Sequence, residues 1–99
     1  MDKYILEGKN PVIEPDLYKW AKWYDKADRT VCKTVVGHCT ISTVFLGMNY
    51  AYGYDPVLFE TMVFGNGFDD FLLRYETWDQ AEKGHNEAVL FVTKILQNG

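Results

Sequence analysis

The segment Thr30–Leu46, TVCKTVVGHCTISTVFL, decides the fold of this chain. It contains two runs rich in Val, Thr, Ile and Phe, which are residue types that favour β-strands. Gly37-His38 separates the runs, and a glycine at the first position of a two-residue loop is typical of a type II′ turn. The sequence therefore predicts a β-hairpin with strands at Thr30–Val36 and Cys39–Leu46.

The predicted turn also fixes the register of the hairpin. Val36 lies opposite Cys39, and Cys32 lies opposite Thr43. Cys32 and Cys39 are then several residues apart on one face, beyond the ~7 Å between Cα atoms that a disulfide allows. The chain also lacks the ligand spacing of a zinc site, so we expect free thiols and no metal. The open face of the hairpin carries three polar residues, Lys33, Thr40 and Ser42.

Hydrophobic patterns on either side of the hairpin predict the remaining elements. In chain order these are strands at Tyr4–Glu7 and Val12–Ile13, a helix from Pro15 to Asp28, strands at Val57–Phe64 and Phe71–Tyr75, and a helix from Thr77 to the C-terminus. Because strands follow strands without helical crossovers, the sheet is expected to be antiparallel. We predict one α+β domain over residues 1–99, a two-layer sandwich with two helices packed on one face of an antiparallel sheet of about four to six strands.

Both predicted helices are amphipathic. The first opens with Pro15-Asp16, which suits a helix N-terminus, and its apolar stripe consists of Leu17, Trp20, Ala21, Tyr24 and Ala27. In the second, Thr77 and Gln80 have the spacing of a capping box. Its apolar stripe consists of Trp78, Ala81, His85, Ala88 or Val89, Val92 and Leu96.

The composition argues against several classes of partner and location. With a net charge of −4 and no run of Lys or Arg, the chain lacks the basic patch that duplex nucleic acid or an anionic membrane requires. No apolar run approaches the roughly 20 residues of a membrane span, and Met1–Leu6 has no signal-peptide pattern, so we expect a cytoplasmic protein. The aromatic content of 16% exceeds the needs of one small core, which points to a ligand site or to a homo-oligomer interface.

A charged pair lies within the predicted sheet. Glu60 interrupts the apolar strand Val57–Phe64, and Arg74 lies on the neighbouring predicted strand. A charge inside a strand is either solvated on an open face or paired. Two interpretations stay open here, a structural ion pair and a Glu and Arg that bind a ligand.

The loop Gly47–Pro56 carries three tyrosines, Tyr50, Tyr52 and Tyr54. Rigid amphipathic rings on a glycine-containing loop can stack on flat ligands or contact a protein. Packing of the rings against the sheet is the alternative interpretation.

His85 falls on the apolar stripe of the second helix, directly after Gly84. It is either a core histidine satisfied by a hydrogen bond or a group that contacts a ligand or transfers protons. Gly84 either permits the close approach of another group or is simply tolerated. Since the chain has no nucleophile elbow, phosphate loop or zinc-protease motif, we expect no catalytic residues, no cofactor and no enzymatic activity.

Several strings carry a family resemblance: Trp20-Ala21-x-Trp23, Asp28-Arg29, Ser42-Thr43-Val44-Phe45-Leu46-Gly47, Phe59-Glu60-Thr61-Met62-Val63-Phe64-Gly65, and Arg74-Tyr75-x-Thr77-Trp78-x-x-Ala81-x-x-Gly84-His85. They resemble a family of small phage and prophage proteins that is largely uncharacterised. The loop Met48–Asp55 departs from the polar pattern of that family. The resemblance implies a viral genome and an accessory role against host defence, and some phage proteins with such roles sequester nucleotide immune signals.

The expected function is therefore that of a phage-encoded, non-enzymatic counter-defence protein that binds and sequesters a small nucleotide-like signalling ligand. Arg74 is expected to hold phosphate, and the loop tyrosines or Trp78 to stack on a base. The candidate ligand-binding residues are Thr43, Tyr50, Tyr52, Tyr54, Glu60, Thr61, Arg74, Trp78 and His85. The alternative is an inhibitor that binds a host defence protein or a phage protein through the aromatic loop and the open sheet face.

Overall fold

The computed structural model describes residues 2–49, 51 and 55–98. Its elements are β1 (Tyr4–Glu7), β2 (Asn10–Ile13), α1 (Leu17–Lys26), β3 (Thr30–Val36), β4 (Cys39–Phe45), β5 (Phe59–Phe64), β6 (Leu72–Tyr75) and α2 (Trp78–Asn98). β1 and β2 form a two-stranded antiparallel sheet, and β3 to β6 form a four-stranded antiparallel sheet in chain order. The predicted α+β class with antiparallel pairing is confirmed.

The central hairpin has the predicted turn and register. Gly37 has φ 59°, whereas His38 does not have a positive φ, which is the combination that a type II′ turn requires. Val36 pairs with Cys39 and Cys32 pairs with Thr43, as predicted. A bulge between Thr30 and Cys32 interrupts the far end of β3. Both cysteines are free.

The four-stranded sheet has one covered and one open face. Along β4 and β5, buried residues alternate strictly with less buried ones. The buried residues form the covered face and are Cys39, Ile41, Thr43, Phe45, Phe59, Thr61 and Val63. α2 contacts all four strands from this side. No described helix lies over the opposite side, called the open face below, which consists of Lys33, Val35, Thr40, Ser42, Val44, Glu60, Met62, Phe64, Leu72 and Arg74.

The long helix α2 begins at the predicted capping box. The Thr77 hydroxyl accepts from the Gln80 backbone N–H at 3.1 Å, and the Gln80 side chain accepts in return from the Thr77 N–H at 3.3 Å. The buried residues of the helix recur every three or four positions, as one face of a helix requires, and are Ala81, Gly84, His85, Ala88 and Val92. Neither described helix combines the length and apolarity needed to cross a membrane.

The short helix α1 packs differently from its predicted stripe. It starts after the N-cap Asp16, whose carboxylate accepts from the N–H groups of Tyr18 and Lys19, and it has no fully buried residue. Leu17 of the predicted stripe is exposed. α1 contacts mainly β1 of the two-stranded sheet, and its Trp23 side chain packs against the core. Trp23, which the stripe did not include, packs edge-on against Phe45 at 5.9 Å between centroids.

Two apolar clusters make up the core beneath α2. One consists of Tyr4, Phe45, Leu58, Phe59 and Ala81, and the other of Cys39, Ile41, Val63, Ala88 and Val92. Between them lie three buried residues with polar side chains, Thr43, Thr61 and His85, called the polar layer below. The core is therefore divided across its middle by hydrogen-bonding groups.

The space beside Gly84 is occupied by the ring of Tyr75. A Cβ atom at position 84 would collide with the outer ring atoms and hydroxyl oxygen of Tyr75. Of the two interpretations of this glycine, close approach of another group is correct, and that group is an aromatic side chain from β6. A rotation of the ring away from α2 would break the hydrogen bond from the Tyr75 hydroxyl to Thr61, 3.1 Å long.

We expect Gly84→Ala to lower the free energy of unfolding by about 1–2 kcal/mol, because the steric strain exceeds the ~1 kcal/mol that alanine adds to helix stability. Urea denaturation of the purified chain measures this value. In a Tyr75→Ala background the same change should become neutral or stabilising. A Gly84→Ala penalty that is unchanged in that background would show that Tyr75 is not the obstacle.

Candidate functional site

The polar layer is a continuous chain of hydrogen bonds between α2 and the sheet. His85 Nδ1 lies 2.7 Å from Thr43 Oγ1, and His85 Nε2 lies 2.8 Å from Thr34 Oγ1. Thr43 Oγ1 lies 2.5 Å from Thr61 Oγ1, which accepts from the Tyr75 hydroxyl. One residue from each of β3, β4, β5 and β6 therefore joins the helix through a single network.

The network selects one tautomer of His85. The Tyr75 hydroxyl donates to Thr61, so Thr61 can donate to Thr43, and Thr43 can donate to Nδ1 of the imidazole. His85 then carries its proton on Nε2 and donates it to Thr34. This arrangement, inferred from the hydrogen-bond pattern, uses every hydroxyl proton between Tyr75 and the ring.

Burial keeps the imidazole neutral. His85 is 1% exposed, and loss of solvation lowers the pKa of its ring below the ordinary value of 6.5. Protonation on Nδ1 would force Thr43 to reverse its hydrogen bond and would place an unpaired cation in the core. At the other end of the network, burial is the main cause that raises the pKa of Tyr75. Glu87 raises that pKa further, and the hydrogen bond with Thr61 opposes the rise.

The polar layer takes three of the predicted ligand-contacting side chains out of reach of solvent. Thr43, Thr61 and His85 hydrogen-bond to other residues of the core and are at most 1% exposed. Of the two interpretations of His85, the geometry shows the satisfied core histidine, with two hydrogen bonds rather than one. The predicted contact of these three with the ligand held by Arg74 has no geometric support, because the sheet lies between them.

Glu60 and Arg74 lie together on the open face. They are direct cross-strand neighbours on β5 and β6, and Arg74 Nε donates to Glu60 Oε2 at 3.0 Å. The Glu60 side chain is mostly buried, at 12% exposed, whereas that of Arg74 is 40% exposed. The two side chains form an ion pair on the open face, and Arg74 is the more exposed of the two.

The base of the tyrosine loop lies beside this ion pair. Asn49 Oδ1 accepts from the backbone N–H groups of Ala51 and Val57, at 2.9 and 3.1 Å, and so ties the two ends of the loop together. Phe45 and Phe59 pair with each other at the ends of β4 and β5 that flank the loop. The next pair along these strands is Val44 and Glu60. Tyr50, Tyr52 and Tyr54 themselves lie outside the described residues.

Asn49 is the positioning residue that sequence reasoning missed. An asparagine at the start of a loop readily accepts hydrogen bonds from backbone N–H groups a few residues further on. That signal was available in the sequence, although the second acceptor contact, with Val57, spans eight residues and depends on the tertiary structure.

Trp78 lies in a third location, at the groove between the β1–β2 hairpin and the start of α2. The groove has a volume of about 320 Å³ and is lined by Lys9, Asn10, Pro11, Thr77, Trp78 and Asp79. Lys9 Nζ lies 5.8 Å from the centroid of the Trp78 ring, and the indole packs edge-on against Phe59. Its buried N–H has no acceptor among the described residues.

The structure therefore divides the predicted ligand-binding set. Thr43, Thr61 and His85 form the buried polar layer, Glu60 and Arg74 form an ion pair on the open face, and Trp78 lines a separate groove.

Within the described part of the chain, no group of three His, Cys, Asp or Glu side chains is placed to hold a metal ion. No family model, curated protein or solved structure matches this chain.

The neutral state of His85 makes stability dependent on pH. The unfolded chain protonates this histidine near its ordinary pKa of 6.5, whereas the folded chain resists protonation to a lower pH. The stabilising contribution is therefore fully present above pH 6.5 and is lost as the pH falls from there through the folded-state pKa. The slope is at most about 1.4 kcal/mol per pH unit.

We expect the urea midpoint of the parent chain to fall between about pH 7.5 and pH 5.5. The matched control His38→Asn removes the exposed histidine of the hairpin turn and should retain this fall. His85→Gln should be less stable than the parent at pH 7.5 and should respond much less to pH, so that the difference narrows towards pH 5.5. An undiminished response in His85→Gln would assign the pH dependence to another group.

Proposed function

We propose that this chain is a non-enzymatic protein that inhibits or modulates another protein by binding it through the open face. The observation that supports this most directly is the exposure of three large apolar side chains on that one face. Val35 is 67% exposed, Phe64 is 50% exposed and Leu72 is 44% exposed. Solvent-exposed apolar side chains on one surface are typical of a site that another molecule covers.

The open face carries apolar side chains towards one end and the Glu60–Arg74 ion pair towards the other. Phe64 and Val35 both flank Thr40 across neighbouring strands, and Leu72 lies beside Met62 at the other edge. Removing such side chains from water contributes about 25 cal/mol per Å² of apolar area. The Glu60–Arg74 pair adds a fixed charge pattern that favours one orientation of the partner. A partner surface that is largely apolar and carries hydrogen-bonding groups opposite this pair fits the face.

A second candidate function is sequestration of a small nucleotide-like ligand. The position of Arg74 favours it. The partly exposed Arg74 side chain lies near Asn49 and Val57, which bracket the tyrosine-bearing part of the sequence, and an arginine is a good partner for a phosphate. We rank this function second because Glu60 already neutralises Arg74 at 3.0 Å and the chain has a net charge of −4. Either function suits the counter-defence role that the phage resemblance implies.

For the protein-binding function we expect crosslinking from the open face only. A photoreactive amino acid at position 64 should crosslink to one specific protein in bacterial cells that express the chain, and Val35→Asp should abolish that product. The matched control places the same amino acid at position 90, which is even more exposed, at 62% against 50%, but lies on the outer side of α2. Equal crosslinking from both positions, or from neither, would contradict a partner site on the open face.

For the nucleotide-binding function the expected signal is thermal stabilisation by cyclic dinucleotides, cyclic trinucleotides or ADP-ribose derivatives. A ligand at about 100 times its dissociation constant adds about 2.7 kcal/mol, which raises the Tm of a domain of this size by several degrees. The shift should disappear in Arg74→Ala and persist in the matched variant Lys33→Ala on the same face. No shift with any of these ligands would leave protein binding as the function of the open face.

A further inference from the structure

The open face carries an exposed positive charge at its β3 edge. Thr34 directs its hydroxyl to His85 on the covered face, so the side chain of the preceding residue, Lys33, projects from the open face. Lys33 is exposed and forms no ion pair with any described residue. By contrast, Arg74 on the same face is bound to Glu60. The ammonium group of Lys33 can therefore receive a carboxylate from another molecule.

Two hydroxyl groups lie beside this charge. Ser42 is the direct cross-strand neighbour of Lys33, and Thr40 is the next residue of β4 on the same face. Both are half-buried, and neither hydroxyl has a hydrogen-bond partner in the described part of the chain. An ammonium group and two hydroxyls can bind a carboxylate through charge-assisted hydrogen bonds, which are roughly twice as strong as neutral ones. Lys33, Thr40 and Ser42 are called the anchor site below.

The charge of the open face differs in sign from that of the whole chain. The charged residues of this face are Lys33, Glu60 and Arg74, an excess of one positive charge, whereas the chain has a net charge of −4. Two strand spacings across the sheet and two residues along the strands, about 12 Å in all, separate Lys33 from Glu60. Because exposed charges are screened beyond about 8 Å at physiological ionic strength, Glu60 does little to repel a carboxylate at the anchor site.

We propose, on the basis of the protein-binding function above, that the partner presents an acidic side chain flanked by apolar ones, and that its carboxylate docks at the anchor site. The apolar side chains of the partner next to this carboxylate then cover Met62 and Phe64. Met62 is the cross-strand neighbour of Ser42, and Phe64 is that of Thr40. One acidic residue thus fixes the position of the partner, while the apolar contacts supply buried area.

A carboxylate of a protein fits this face better than the phosphates of a nucleic acid. A nucleic acid contacts cations with several phosphates at once, whereas the open face offers Lys33 and an arginine already bound to Glu60. Val35 and Phe64, which are exposed on either side of Thr40, also require apolar cover. A protein surface supplies such cover next to an acidic side chain, and a phosphate backbone does not.

Zero-length crosslinking tests the anchor site directly, because a carbodiimide joins an amine to a carboxylate that touches it, with loss of water. The photoreactive amino acid at position 64 first identifies the protein that the open face contacts in bacterial cells. Carbodiimide treatment of the parent chain in lysate of the same cells should then give an amide between Lys33 Nζ and an Asp or Glu of that protein, located by mass spectrometry of the joined peptides. Lys33→Arg keeps the charge, so it should lose the amide and retain the photocrosslinked product.

Charge reversal measures what the anchor site contributes. Lys33→Glu should lower the yield of the position-64 product by on the order of tenfold or more, because like charges then face each other. The matched control Lys94→Glu makes the same charge change at an exposed position of α2 and should leave the yield unchanged.

Two sets of results would overturn the proposal, and they differ in what else they overturn. Absence of the Lys33 amide, or an unchanged yield in Lys33→Glu, would remove the acidic anchor and leave the partner site on the open face in place. Absence of the position-64 product from the chain that retains Lys33 would overturn both. An amide that joins Lys33 to a second copy of this chain would also overturn both, because it would make the open face a contact between copies.

Discussion

The hydrogen bond between His85 Nδ1 and Thr43 Oγ1, 2.7 Å long, is the contact on which the arrangement of this molecule depends. Apolar packing alone is tolerant of small shifts, because it has no preferred direction. A buried imidazole is not tolerant, since an unpaired ring nitrogen in the core costs about 1–3 kcal/mol. His85 therefore holds α2 at one position along and across the sheet, with Thr34 and Thr43 as its two partners.

That constraint determines which residues are available for function. Because α2 is fixed over the covered face, Thr43 and Thr61 become part of the core, and the ring of Tyr75 fills the space beside Gly84. The opposite face stays open, and its most distinctive group is the Glu60–Arg74 pair next to the base of the tyrosine loop. We therefore expect the functional contacts of the protein on the open face, which the polar layer does not reach.

The packing of the chain also explains much of its high aromatic content. Phe45, Phe59, Trp23 and Trp78 contact one another in one half of the core, so part of the surplus is structural. Phe64 on the open face and Phe91 beside β6 are exposed, which the core does not require. Phe64 belongs to the proposed partner site, whereas Phe91 lies on α2 beside Phe68 and Phe71.

The sequence by itself determined the local structure of this protein. The Gly37-His38 turn, the register of Val36 with Cys39, and the capping box at Thr77 all depend on neighbours in sequence, so their physics is visible in a single string. The neighbouring positions of Glu60 and Arg74 also followed from strand order and alternation.

Only the tertiary structure decided which side chains share a site. Periodicity places His85 on the inner side of its helix, but the same pattern suits a ligand contact and a core histidine. The choice depended on partners 42 and 51 residues away in sequence, Thr43 and Thr34. For the same reason the packing of Trp23 on Phe45 was not predictable, because the direction of α1 is set by the β1 strand it meets rather than by its own stripe. Local chemistry specifies the helices and strands. Burial decides whether a polar side chain belongs to the core or to a binding surface, and burial depends on which distant parts of the chain pack against it.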